Sequence, residues 1–162
     1  MRDPDLEAKV RDFLAQRRIA IVGVSRDQTR RPVGNAIYRR LKRAGHDVFA
    51  VNPQISAFEG EPCFPSVGSI PGGVDGVVIA TRPEIAEEIA RDCVASGVRR
   101  VWMHQSFARG SSVSPSAVAF CRDHGLSVIA GACPMMYGDG VDIGHRCLRW
   151  LVRLGLGQGK AG

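Results

Sequence analysis

The feature that most restricts this chain is a recurrence of short, continuous apolar runs rich in β-branched residues. They are Ile19-Ala-Ile-Val-Gly-Val24, Asp47-Val-Phe-Ala-Val51, Gly76-Val-Val-Ile-Ala-Thr81, Arg100-Val-Trp-Met-His104 and Leu126-Ser-Val-Ile-Ala130. A strand with one wet face alternates apolar and polar residues, whereas a strand of a parallel sheet, covered on both faces, reads as an unbroken run. Stretches of helical length separate most of them. Residues 32–44 open with Pro32, carry Val33, Ala36, Ile37 and Leu41 on one face and end at Gly45; 83–96 begin at Pro83 and end before Gly97; 114–124 end before Gly125. Proline in the first turn and glycine just past the end are the punctuation expected of helices. A further amphipathic helix is predicted over 5–17, before the first strand, from Leu6, Val10, Phe13 and Leu14.

Two segments depart from this rhythm. Residues 54–75, with Gly60, Pro62, Pro65, Gly68, Pro71, Gly72 and Gly73, predict a loop-rich crossing with a short edge strand near Cys63-Phe64 and a helical turn near Val67–Ile70. Residues 140–154 predict a C-terminal helix through Ile143, Cys147, Leu148 and Leu151, followed by a frayed glycine-rich end. Strands alternating with helices of about 12 residues imply right-handed βαβ units. The expected architecture is therefore a single α/β domain over 1–162 with a core at about 18–132. It is Rossmann-like and doubly wound, with a mainly parallel five- or six-stranded sheet and helices on both faces, three layers in all.

Composition fits an ordinary globular domain: 44% of the residues are apolar and 23% charged. The five cysteines, Cys63, Cys93, Cys121, Cys133 and Cys147, are odd in number and form no C-x-x-C, which speaks for reduced thiols rather than a disulfide framework or a zinc site. Cys133 with His104, His145 and Cys147 has no diagnostic metal or nucleophile spacing, so neither a metal site nor a catalytic residue is assigned. No apolar run approaches the roughly 18 residues of a spanning helix, and a cytoplasmic protein without membrane association is expected. The net charge of +6 is concentrated in Arg26, Arg30, Arg31, Arg39, Arg40, Lys42 and Arg43, offset locally by Asp27. Such a surface attracts anions. Lacking interleaved aromatics or a helix-turn-helix pattern, it suits a compact phosphorylated ligand better than nucleic acid.

In doubly wound sheets ligands bind at the carboxyl ends of the strands, near the switch in strand order. That rule selects residues 23–32, 51–54 and 81–84. In the first, Gly23 lets backbone amides approach an anion, Ser25 adds a hydroxyl, and Arg26 or Arg31 supplies a charged fork. A dinucleotide fingerprint would need glycines where Ser25 and Gln28 stand, and an acid at the second strand's end where Asn52-Pro53 stands, so NAD is disfavoured.

Val22-Gly-Val-Ser25, Arg31-Pro32, Val51-Asn-Pro53, Gly60-Glu-Pro-Cys63, Arg82-Pro83 and Val101-Trp102 together resemble, in order and spacing, the stand-alone CoA-binding proteins. Those proteins are similar to the CoA-binding domain of the succinyl-CoA synthetase α chain. The resemblance covers about residues 15–135 and implies a ligand of coenzyme A or acyl-CoA type. By family position Gly23, Val24, Ser25 and Arg26 would face the diphosphate, with Arg31 beside them. Asn52 and Pro53 would border adenine and ribose, and Thr81, Arg82 and Pro83 would close the site. Gln105 is assigned to it as the glutamine following Trp102, although relatives have Trp-Leu-Gln where this chain has Trp-Met-His-Gln. The resulting expectation is a CoA-binding protein without its own catalytic site, a sensor or partner subunit, with a homodimer or an unidentified protein partner allowed by the C-terminal helix. The alternatives are an NADP-linked oxidoreductase and a separately encoded part of an ADP-forming acyl-CoA synthetase.

Overall fold

A computed structural model describes residues 5–106 and 110–138 of the chain. Its strands are β1 (Arg18–Val22), β2 (Asp47–Val51), β3 (Ala57–Phe58), β4 (Glu61–Phe64), β5 (Gly76–Ile79), β6 (Arg100–Ser106), β7 (Gly110–Ser111) and β8 (Ser127–Ala132). The α-helices are α1 (Leu6–Leu14), α2 (Val33–Arg43), α3 (Ala86–Ala95) and α4 (Pro115–Asp123). Short 3-10 turns occupy Val67–Ser69, Pro83–Ile85 and Pro134–Met136. The C-terminal helix expected over 140–154, with His145 and Cys147, lies outside the described residues.

Every pairing along the path β4-β2-β1-β5-β6-β8 is parallel. Six strands in this order, renumbered by chain position, run 3-2-1-4-5-6, the Rossmann order. The change of direction falls between β1 and β5, where Val22 pairs with Val51 on one side and Ile79 on the other. β3 and β7, two residues each, add short antiparallel hairpins at β4 and β6. Glu59 and Gly60, both at positive φ (50° and 80°), make the two-residue turn joining β3 to β4.

The unbroken apolar runs are explained by cover on both faces: all four residues of β5 and the last four of β1 are buried. On one face α1 and α2 pack Phe13, Ile37, Tyr38 and Leu41 against Ile19, Ile21, Val78 and Trp102. On the other, α3 and α4 pack Ala86, Ala90, Cys93, Ala117 and Cys121 against Ala20, Val77, Ile79 and Met103. The N-terminal helix is part of the fold. Its Phe13 ring meets Trp102 edge-on at 5.3 Å, and Trp102 Nε1 donates to the Ala132 carbonyl at 3.0 Å. Truncating a buried phenylalanine of this kind costs about 3–5 kcal/mol.

Two sequence expectations are corrected in detail. The buried face of α2 is Gly34, Asn35, Ile37, Tyr38 and Leu41, with Val33 and Ala36 only half-buried. The helix is rotated by about one position because Gly34 must approach the β1 loop closely and because the Tyr38 hydroxyl reaches the Glu61 carboxylate at 3.1 Å. The last strand runs over 127–132 rather than 126–130, since a register shift at Met103/His104 lets β8 continue past Ala130.

Candidate functional site

The site starts from Gly23, the first residue beyond β1. Its φ is 112°, and a Cβ there would lie 2.6 Å from the Ala80 carbonyl oxygen, so glycine is required both for conformation and for space. The chain turns over the end of β5 and reaches α2 at Pro32. At Gly34 a Cβ would drive into the Gly23 carbonyl oxygen, so the first turn of α2 rests directly on the β1 loop. Close packing of strand, loop and helix is the task of the third glycine in dinucleotide-binding loops. Here it is done eleven residues after Gly23, with a longer loop between.

Two buried or half-buried asparagines hold this loop. Asn35, 1% exposed, accepts the Ser25 amide on Oδ1 (2.9 Å) and donates from Nδ2 to the Ser25 carbonyl (2.7 Å). Asn52 donates from Nδ2 to the Val24 carbonyl (2.7 Å) and accepts the Gln54 amide (2.8 Å). The Gly23 amide is bound to the Val51 carbonyl at 3.2 Å. Among the described residues nothing accepts a hydrogen bond from the Val24 or Arg26 amide, and no side chain caps the first turn of α2. Such uncommitted N–H groups at a helix start favour an anion.

Around this loop lies an open cleft of about 800 Å³, lined by Gly23, Val24, Thr29, Arg30, Arg31, Pro32, Val33, Asn52, Ala80, Thr81, Arg82, Pro83, Ile85, Gly110 and Ser111. Among the described residues three arginines line it and no carboxylate does. The β6–β7 hairpin is tied over the end of β5 by Ser112, whose hydroxyl donates to the Thr81 carbonyl at 2.6 Å and whose amide donates to the His104 carbonyl at 2.7 Å. Arg31 is held at φ 44°, in the left-handed region, with its amide on the Gln28 carbonyl. Asp27, the acid of the loop, faces Thr29 and not the cleft. Hydrogen bonds from the Thr29 hydroxyl and then its amide hold the Asp27 carboxyl below the usual carboxylate range, with Arg30 adding to this.

A second cleft of about 430 Å³ adjoins the first, the two sharing Gly23, Asn52, Thr81 and Ile85. Its other walls include Val22, Val51, Pro53, Pro65, Val67 and Ile89, with Glu88 and Asp92 at its edge. Asp92 is committed to structure, accepting the Val67 amide at 2.7 Å and the Gly68 amide at 3.3 Å.

Of the residues assigned from sequence, Gly23, Val24, Arg31, Asn52, Thr81, Arg82 and Pro83 are brought together in the first cleft, and Pro53 lies in the second. Ser25 and Arg26 belong to the loop without lining either cleft; the Ser25 hydroxyl accepts the Asp27 amide at 3.1 Å. Gln105 sits on β6 opposite Ser111, with its Oε1 over Gly131 and outside both clefts. Thr29, Arg30, Gly34, Asn35 and the 110–112 segment were missed by sequence reasoning. The legible signal for Asn35 was a polar residue three positions before Tyr38 and six before Leu41, on a stripe that is otherwise apolar. Nor is the basic cluster one surface: Arg39 pairs with Glu59 at 2.5 Å, Lys42 pairs with Glu61, and Arg40 donates to the Tyr137 carbonyl at 2.8 Å. Among the described residues no group of three His, Cys, Asp or Glu side chains could hold a metal ion, and no helix is long and apolar enough to cross a membrane.

Residues 17–139 match the family model of the CoA binding domain. The chain belongs to the CoA binding domain family. This member is 28% identical over 120 residues to the ADP-forming acetate–CoA ligase I of Archaeoglobus fulgidus, an alignment covering 71% of this chain but only 17% of the ligase. Its fold is similar to that of a hypothetical protein from Pyrococcus horikoshii, with TM-score 0.72, 27% identity and coverage of 83% of this chain and 92% of that one. It is also similar to the dinucleotide-forming acetyl-coenzyme A synthetase 1 of Candidatus Korarchaeum cryptofilum in complex with phosphate and ADP. There the TM-score is 0.62 with 26% identity, and the match covers 82% of this chain and 28% of that one. The domain is thus shared with ADP-forming acetyl-CoA synthetases, of which this chain spans a minor part.

Proposed function

We propose that the chain binds coenzyme A or an acyl-CoA, with the phosphates in the arginine-lined cleft and the adenine side of the ligand in the adjoining apolar cleft. The observation that carries this reading is the first cleft itself. It opens at the strand-order switch, it gathers Arg30, Arg31 and Arg82 around uncommitted amides, and among the described residues no acidic side chain lines it. A 3′-phosphorylated ADP moiety carries three phosphates, and charge-assisted hydrogen bonds from arginine are the strong way to hold them. Family membership supports the ligand class.

NAD suits the site less well. Enzymes holding NAD place an acid at the end of the second strand for the ribose hydroxyls. Asn52 occupies that position here, and both ends of its carboxamide are spent on Val24 and Gln54. Among the described residues, those lining the first cleft include no thiol, imidazole or carboxylate. We take its role to be that of a ligand-sensing or partner module, a reading supported by its similarity to a domain that forms a fraction of larger ligases.

Isothermal titration with CoA, acetyl-CoA, NAD, NADPH and ATP tests this. CoA and acetyl-CoA should bind in the micromolar range and NAD at least tenfold more weakly. No heat with CoA at millimolar concentration overturns the reading, and NADPH binding more tightly than CoA would favour a reductase.

A further inference from the structure

We propose that Asn35 is the positioning residue of the anion-holding loop, setting which way its peptide groups point, and so deciding whether the loop offers N–H groups or carbonyls to a phosphate held against it. The ligand class rests on the reading above; the role of Asn35 rests on the loop geometry.

The inference follows from how a trans peptide is built. Its C=O and N–H point in opposite directions, so tying one fixes the other. The Val24–Ser25 peptide is tied at both ends: its carbonyl accepts from Asn52 Nδ2 and its N–H donates to Asn35 Oδ1. The next peptide, Ser25–Arg26, is tied by its carbonyl to Asn35 Nδ2 at 2.7 Å. Its N–H, that of Arg26, is therefore directed away from Asn35 and the packed start of α2. One buried carboxamide thus shares the Val24–Ser25 peptide with Asn52 and orients the Ser25–Arg26 peptide that follows it. Without it, the Ser25 carbonyl would keep only the long bond from Gln28 Nε2 at 3.4 Å and could rotate outward, and a carbonyl dipole facing a phosphate repels it.

Asn35 can act this way because of its own surroundings. It lies on the buried face of α2 beside Gly34, whose missing Cβ lets the helix touch the Gly23 carbonyl. A buried amide must satisfy its hydrogen bonds. Ser25 satisfies it with one donor and one acceptor, as a neighbouring strand would. An aspartate in its place would keep the acceptor for the Ser25 amide but set a second oxygen against the Ser25 carbonyl. Protonation of that oxygen would restore the donor.

The experiment is an amide-resolved NMR titration of the full chain with inorganic pyrophosphate and, separately, CoA, on wild type, Asn35→Ala and Asn35→Asp. In wild type the Val24 and Arg26 amides should move on adding pyrophosphate. In Asn35→Ala those shifts should be lost and the dissociation constants for both probes should rise at least tenfold, while the far-UV spectrum and the dispersion of β1, β5 and β6 amides are kept. Asn35→Asp should be as impaired at neutral pH and recover on acidification, a recovery Asn35→Ala lacks. If wild type responds to pyrophosphate at Val24 and Arg26 but not to CoA, the ligand assignment fails and the role of Asn35 stands. If neither amide responds to either probe in wild type, or if a folded Asn35→Ala binds as wild type does, the role of Asn35 is overturned. Should Asn35→Ala fail to fold, Asn35→Asp carries the decision: binding independent of pH contradicts it.

Discussion

The two clefts at the carboxyl edge share Gly23, Asn52, Thr81 and Ile85, yet they offer opposite environments. The first is edged by Arg30, Arg31 and Arg82 over uncommitted amides; the second is walled by Val22, Val51, Pro53, Pro65, Val67 and Ile89, with Glu88 and Asp92 at its margin. A ligand lying across both would meet positive charge at one end and apolar surface beside negative charge at the other. This polarity orients a molecule that has its phosphates on one side and an uncharged ring on the other. It teaches that the seam residues fix the shape of the site, while the residues outside the seam divide its chemistry.

The largest effect should come from the seam. Gly23→Val places a Cβ 2.6 Å from the Ala80 carbonyl at a backbone angle that only glycine adopts readily. Strain and overpacking together should cost about 2–4 kcal/mol, read by chemical denaturation, and CoA binding should vanish. Next, Arg30→Ala combined with Arg82→Ala removes two cations exposed at the first cleft. Each charge-assisted contact is worth about 1.5–3 kcal/mol, about 3–6 kcal/mol for the pair, so the dissociation constant for CoA should rise by about two to four orders of magnitude with an unchanged thermal midpoint. The same pair should flatten the dependence of affinity on salt. Glu88→Gln in the second cleft should change affinity less than threefold; a loss as large as that of the arginine pair would break the division of labour.

A smaller effect should appear with pH. Asp27 has its folded pKa depressed, chiefly by the Thr29 hydrogen bond, so its contribution to loop order is present above the unfolded carboxylate pKa and lost as pH falls through the folded value. Asp27 is exposed, and the change should be seen locally, as faster amide exchange at Thr29 in acid, with no shift of the thermal midpoint.

Much of the fold was legible because covered parallel strands write themselves as unbroken apolar runs. Ile19–Val22 and Gly76–Ile79 are such runs, and helix punctuation at Pro32, Gly45, Gly97 and Gly125 marks most of the remainder. The hairpin strands β3 and β7 were not legible, since two residues hold no period and their pairing is set by turns and tertiary contact. The same contrast runs through the site. Gly23, Asn52, Thr81 and Arg82 could be placed at the cleft from sequence because they stand at strand ends, where ligands bind in this architecture. Gly34 and Asn35 were not, because a glycine and an asparagine inside a helix read as weak helix formers until the loop they brace is seen beside them. Arg26 was assigned by family position and Arg30 was not; the direction of the loop puts Arg30, and not Arg26, in the cleft wall.

The most direct measurement is a crystal structure of the full chain with CoA. The phosphates should lie in the first cleft, within hydrogen-bonding distance of the Val24 amide and of at least two of Arg30, Arg31 and Arg82, with the adenine against Pro53. Phosphates lodged beside Glu88 and Asp92, or density for CoA away from the β1 loop altogether, would contradict it.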